Sequence, residues 1–376
     1  MSDDRTLEQL REDIDAIDRQ VLELLAQRTG VVSKIAGWKR RHGTRIRDPQ
    51  RERSLMQARK ALAGELGLRP QVVESIFRLV LLSSREQQAA LRTEVPTATQ
   101  PKVVGIVGGR GGMGGLFARL FGELGNTVLI SDLGTELSNE QLAQTADVVV
   151  VSVPIERTVE VLRGLAPLVR PEALLCDLTS LKTAPMEAML EGSRCSVLGL
   201  HPMFGPTVHT LQGQRVVLCE GRGEDWSDWM RTMLAARGMV LAPSSPELHD
   251  RVMAAVQVLT HFKTQVTALT LARMGVSLEQ TLAFTSPAYL MDLYVEGRHF
   301  AQSPELYGSI EMQNPLRAEV TRLFEEAARE VSGLLERRDQ AAFSEMFAEV
   351  RRFFGAFTAE ALEQSGYLID RLVERS

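Results

Sequence analysis

Gly109, Gly111 and Gly114 fall in the pattern G-x-G-x-x-G. The pattern sits between an apolar, β-branched run, Lys102 to Val107, and a stretch in which Leu116, Phe117, Ala118 and Leu120 recur at helical spacing. With a strand before and a helix after, such glycines permit a tight turn, let the backbone approach a pyrophosphate and leave it on the helix N-terminus. Met113, inside the loop, is grouped with them as a dinucleotide contact. Asp132 ends the next apolar run, 18 residues beyond Gly114. A carboxylate there accepts hydrogen bonds from the adenosine ribose and repels a 2′-phosphate, so NAD is preferred to NADP. A second candidate is His201, at the end of the run Ser196 to Leu200 and in a segment stiffened by Pro202 and Pro206. Doubly wound sheets bind ligands beyond the carboxyl ends of their strands. An imidazole of pKa about 6.5 can accept a proton there at neutral pH. Position alone leaves open a loop histidine bonded to backbone.

These residues need elements to hold them. Residues 5–92 read as helix, with Leu7, Leu10, Ile14, Ile17, Val21, Leu24, Val31, Ile35 and Trp38 forming one apolar seam interrupted only at Arg28. Such a seam packs against another long helix. Thr6 with Gln9 reads as a capping box, His42-Gly43-Thr44 as a break, and Asp48-Pro49 and Pro70 as the starts of two further helices. Arg92 to Pro101 reads as a linker. Short β-branched runs at 102–107, 127–132, 147–153, 173–177, 196–200 and 215–219 then alternate with helical stretches, which implies a parallel sheet covered on both faces. From about Glu247 amphipathic helices return. The expected division is a helical domain at 1–92, a linker at 93–101, an α/β domain at 102–246 and a helical domain at 247–376.

With 44% apolar and 24% charged residues the chain reads as a soluble globular protein. The apolar run around Val148 to Ile155 is far too short to cross a bilayer. The charged stretch from Asp3 to Arg19 is not a signal peptide, and Cys176, Cys195 and Cys219 lack metal-type spacing, so a reducing cytoplasm is expected and no metal. Residues 1–92 carry 18 Lys+Arg against 13 Asp+Glu, a net of +5 in a chain of net −5. Because acidic residues are interleaved and no nucleic-acid motif is present, that excess suits a small anionic substrate better than nucleic acid.

Gly199-Leu-His-Pro-Met-Phe-Gly-Pro206, Asp177-Leu-Thr-Ser-Leu-Lys182 and the glycine loop together resemble prephenate dehydrogenase, and Gly297 to Gln302 with Ser303 to Tyr307 extend the likeness. The resemblance implies that His201 takes the proton of the prephenate ring hydroxyl as hydride leaves for NAD+, and that loss of CO2 gives 4-hydroxyphenylpyruvate. It implies that Ser180 orients this histidine and the substrate, and that Arg298 clamps a carboxylate with its planar pair of donors. His261 would contact substrate or the end-product tyrosine, an expected feedback inhibitor. The chain departs from relatives at Thr260, often basic, and at Leu290, often arginine.

Residues 5–90 resemble the all-helical chorismate mutase domain fused to this dehydrogenase in some bacteria. The resemblance implies that Arg11, Arg28 and Arg51 hold substrate carboxylates, that Lys39 and Gln88 donate to the ether oxygen of the breaking bond, and that Asp48, Glu52 and Ser84 complete a polar pocket. Arg28 and Lys39 are three turns apart on nearly one face, whereas Arg11 is roughly 25 Å from Arg28 along the helix. One small ligand cannot span that distance, so if all three cations serve one site Arg11 must come from a second chain, the arrangement of the family's intertwined homodimer. The expected fold is thus multidomain: an all-α mutase-like domain, an α/β Rossmann-type NAD-binding domain and an all-α C-terminal dimerisation domain. Three other readings stay open: a dehydrogenase whose N-terminal region is only a dimerisation module, a β-hydroxyacid dehydrogenase, and a non-enzymatic NAD sensor. The intact set of polar residues argues against the first, the histidine segment against the second, and His201 with Ser180 against the third.

Overall fold

The computed structural model describes residues 5–42, 48–90 and 100–373. Most of the expected linker 93–101, and Gly43 and Thr44 of the expected break, lie outside them. The chain forms two compact units, one of residues 1–152, 163–178 and 189–243 and one of 153–162, 179–188 and 244–376.

The first unit begins with three helices, α1 (Leu7–Arg41), α2 (Pro49–Glu65) and α3 (Pro70–Ala90). The Thr6–Gln9 box closes reciprocally, Thr6 N–H to Gln9 Oε1 at 2.9 Å and Gln9 N–H to Thr6 Oγ1 at 3.3 Å. α3 packs against both α1 and α2. The α1 residues buried within the chain are Val32 and Ala36, not the long seam. Leu7, Ile14, Ile17, Val21, Leu24, Val31, Ile35 and Trp38 are all exposed. A single chain therefore leaves most of an apolar face about nine turns long in water, which is costly unless something covers it.

The sheet follows: β1 (Val103–Val107), α4 (Gly112–Glu123), β2 (Thr127–Ser131), α5 (Asn139–Thr145), β3 (Val148–Val151), α6 (Ile155–Leu165), β4 (Leu174–Asp177), α7 (Thr183–Gly192), β5 (Ser196–Pro202), β6 (Arg215–Arg222), α8 (Glu224–Ala236) and β7 (Val240–Ser244). The strand order is β2-β1-β3-β4-β5-β6-β7. β1 to β5 pair in parallel, as their apolar runs predict, but β6 pairs antiparallel with β5. Between these two strands the chain returns through a turn-rich segment without a crossover helix, and a direct return reverses strand direction. β7 is a further strand beyond the six runs read from the sequence. Phe117, Leu120 and Phe121 of α4 and Trp229, Met230 and Met233 of α8 join Val104, Val150, Cys176 and Leu198 in one core. Elsewhere Gly105 leaves the room that Leu142 of α5 fills.

The second unit is helical: most of α6, the first part of α7, and then α9 (Pro246–Met253), α10 (Thr260–Arg273), α11 (Leu278–Ala283), α12 (Pro287–Phe300), α13 (Pro304–Gln313), α14 (Arg317–Arg337), α15 (Gln340–Phe354) and α16 (Phe357–Val373). A π-helical stretch, Ala254–Leu259, joins α9 to α10. Such stretches are rare and interrupt the ordinary helical register, here just before His261. No helix among the described residues is long and apolar enough to cross a membrane, and no group of three or more metal-ligating side chains occurs among them. All three cysteines are free and buried.

Candidate functional site

The glycine loop is built for close approach. Gly108 turns at φ 80°, and Gly111 caps α4. A Cβ on Gly114 would meet Gly108 O at 2.3 Å, and one on Gly109 would meet the Ile130 side chain at 2.7 Å. These two therefore permit tight packing of helix, loop and strand, and a Cβ on Gly111 would also crowd Gly108 O, at 3.2 Å. Met113 packs on the core beneath. Asp132 binds the loop itself: Arg110 N–H donates to its Oδ2 at 2.8 Å and Leu133 N–H to its Oδ1 at 2.7 Å. Each oxygen keeps a lone pair for a ribose hydroxyl. The cradle, with a helix N-terminus and a carboxylate at the neighbouring strand end, fits a dinucleotide. Gly112, unremarked in the sequence, lies under the ring of Pro206, 2.9 Å from where its Cβ would stand. The segment after β5 thus closes on the start of α4.

His201 differs from expectation. β5 runs through it to Pro202, pairing it with Val217, so it is a buried strand residue and not a loop tip. The antiparallel β6 accounts for this, because its ladder carries β5 two residues further than its own apolar run predicts. Ser180, half-buried, follows β4 in the second unit.

The segment carrying Ser180 is held by a residue that the sequence did not single out. Asp250, buried on α9, accepts from Lys182 N–H at 2.8 Å, Thr183 N–H at 2.9 Å and His249 Nδ1–H at 2.8 Å. Burial works to raise its carboxyl, but the hydrogen bonds from His249, Thr183 and Lys182 hold it below the usual carboxylate range. Lys182 is fully buried. No local pattern marks Asp250, which follows the Ser245 cap as an ordinary helical residue until the fold brings α9 under the start of α7.

In the same unit Arg298 lies exposed in the last turn of α12. His261 packs edge-on to Tyr307 at 4.6 Å and lies 5.4 Å from His299. Burial first, and then the His299 charge, lower its pKa to about 4.

In the first three helices, Arg28 of α1 donates to Ser84 Oγ of α3. That hydroxyl is its sole hydrogen-bond partner among the described residues. Burial, and secondarily the charge of Arg59, pull the Arg28 guanidinium below its ordinary value. Gln88 is buried beside Ser84, its Nε2 donating to Ser84 O at 3.2 Å while its Oε1 lacks a partner among the described residues. Glu52 accepts from Arg85 Nη1 at 3.4 Å. The structure thus gathers Arg28, Ser84 and Gln88 in one polar cluster. Lys39 is half-buried, while Arg11 and Arg51 are exposed. Asp48 caps α2, accepting from Arg51 N–H at 3.0 Å, a structural task besides the pocket role expected of it. Arg59 and Arg85 were not foreseen, since nothing local separates them from surface cations.

Fold and sites together define a nucleotide-binding dehydrogenase joined to a helical domain that holds a half-buried cation. Residues 10–89 match chorismate mutase type II, residues 127–242 the nucleotide-binding domain of prephenate dehydrogenase, and residues 245–349 its dimerization domain. The T-protein of Haemophilus influenzae is 34% identical over 99% of this chain and 98% of its own length. That of Enterobacter agglomerans is 38% identical over 96% of each. Prephenate dehydrogenase from A. aeolicus, solved with hydroxyphenyl propionate and NAD+, shares the fold with a TM-score of 0.54 and 22% identity, over 68% of this chain and 98% of that one. The chain belongs to the T-protein family. It is a bifunctional enzyme, a chorismate mutase and an NAD-dependent prephenate dehydrogenase.

Proposed function

We propose that residues 1–92 carry the rearrangement of chorismate to prephenate, that 102–246 bind NAD, and that 247–376 complete the dehydrogenase and its dimer. The observation that supports the mutase site best is Arg28, half-buried with a lone hydroxyl partner. A substrate carboxylate is the anion such a cation lacks. Arg51, Asp48 and Glu52 complete the pocket, with Arg11 from a second chain. Lys39 and Gln88 stabilise negative charge developing on the ether oxygen, in a pericyclic reaction that needs no acid or base. The Gln88 amide must first turn from its own helix toward the substrate.

For the second reaction, Gly109, Gly111, Gly114, Met113 and Asp132 hold NAD+, which supplies the hydride acceptor. His201 takes the proton of the ring hydroxyl, Ser180 orients that histidine, and Arg298 pairs with a carboxylate of prephenate. The ring carboxylate leaves as CO2 and the product becomes aromatic. Burial of His201 excludes competing water from its proton transfer. Tyrosine is the feedback inhibitor, with His261 in its site, and the enzyme acts as a cytoplasmic homodimer. The exposed α1 seam supports the dimer, as does an apolar groove of about 710 Å³ between Ala254, Leu259, Val320, Leu323 and Phe324.

Chorismate as sole substrate tests the reading. Chorismate is expected to disappear without NAD+, and NADH to form once NAD+ is added. Persistence of chorismate while added prephenate yields NADH would make the N-terminal cluster structural. Inertness toward both would remove the site assignments altogether.

A further inference from the structure

Beside His261 the second unit holds a polar cluster, Glu311, Gln265 and His299, to which neither reaction gives a role. Glu311 of α13 has a side chain 14% exposed. Its one hydrogen bond among the described residues comes from a neutral donor, Gln265 Nε2 of α10, at 2.7 Å. The same amide nitrogen donates to His299 Nε2 at 3.2 Å, which occupies both of its hydrogens and makes that ring nitrogen an acceptor. His261 Nδ1 is buried and has no hydrogen-bond partner, and it stands 3.8 Å from Glu311 Oε1, too far for a direct bond. Tyr307 walls the cluster, stacked on His299 at 4.1 Å and edge-on to His261. Burial raises the Glu311 carboxyl and lowers both histidines, so at neutral pH neither ring supplies the positive charge that a buried carboxylate needs.

The missing group must be cationic and carry at least two N–H donors. A nitrogen about 2.8 Å from both Glu311 Oε1 and His261 Nδ1 satisfies the two at once, because these acceptors are close enough to share it. A primary ammonium has that chemistry. Chorismate, prephenate and 4-hydroxyphenylpyruvate have no nitrogen, whereas amination of that last keto acid yields an aromatic amino acid. We propose that Glu311, with His261, accepts the α-ammonium group of an aromatic amino acid, and so separates an amino-acid effector from the keto-acid substrate and product. Gln265 and His299 position the carboxylate. The proposal rests on the reading that phenolic ligands of the dehydrogenase reach His261.

The test uses the full-length enzyme and two probes of one skeleton, L-tyrosine and 3-(4-hydroxyphenyl)propionate, which lacks the amino group. Dissociation constants are measured by calorimetry for the wild type, Glu311→Gln and Glu311→Asp, with thermal unfolding to verify the fold. Glu311→Gln should weaken tyrosine about tenfold or more and alter the propionate less than roughly twofold, while Glu311→Asp keeps most of the preference. Equal weakening of both probes would make the cluster structural, and unchanged tyrosine binding would put the ammonium elsewhere. Either outcome overturns the inference. If the wild type oxidises prephenate yet binds neither probe, the inference falls and the dehydrogenase assignment stands. If it does not oxidise prephenate, both fall.

Discussion

Arg28 shows what one residue can carry. Its position interrupts an otherwise apolar register, its guanidinium is half inside the protein, and its hydrogen-bond partner is a serine hydroxyl. Replacing it with methionine keeps the packing of the stem and removes the charge. The expected outcome is a loss of about 10²–10³-fold in mutase kcat/KM, with NADH formation from added prephenate retained, both followed by absorbance. Gly114 carries a different constraint. A methyl group there needs space held by the carbonyl of Gly108, so Gly114→Ala must push α4 off the loop. It should cost about 1–3 kcal/mol of stability in urea unfolding and weaken NADH binding in a fluorescence titration, while Gly115→Ala, whose nearest neighbour is at 3.5 Å, should do neither.

At the scale of elements, the parallel strands, the glycine loop and the helix starts were legible because each rests on local chemistry: β-branched runs, a motif in its strand–helix context, and caps such as Thr6 with Gln9. What was not legible depends on the chain's return in space. β6 reverses, and with it His201 passes from loop to buried strand, because pairing is decided by a neighbour 16 residues away in sequence, Val217. Asp250 was missed for the same reason, and it is the residue that holds the backbone of Lys182 and Thr183. Asp250→Asn removes the charge that receives two backbone N–H groups and His249. The variant should lose about 2–4 kcal/mol in urea unfolding at pH 7. Since the folded carboxyl lies below its unfolded value of about 3.9, this contribution is present above that pH and disappears as pH falls through the folded value. The gap between wild type and variant should therefore be constant from pH 7 to 5 and close on further acidification. A gap that stays unchanged through the acid range would mean that Asp250 acts through packing alone.

For the whole molecule the argument turns on α1. Eight large apolar residues of its seam are exposed in the single chain, and the buried face, Val32 and Ala36, points elsewhere. Arg11 and Arg28 lie too far apart on this helix to share one small ligand. An isologous helical dimer answers both facts, since it covers the seam and brings Arg11 of one chain to Arg28 of the other. It also makes a quantitative prediction. Arg11→Ala and Arg28→Ala should each abolish most mutase activity in homodimers. When the two are co-expressed, half of the dimers are mixed, and each mixed dimer has one site with both arginines and one with neither. Mutase activity should then return to about a quarter of wild type, measured as chorismate loss per chain without NAD+. Failure to recover activity in mixed dimers verified by differential tagging would mean that Arg11 serves within its own chain or not at all. The exposed seam would then need an occupant other than a second copy.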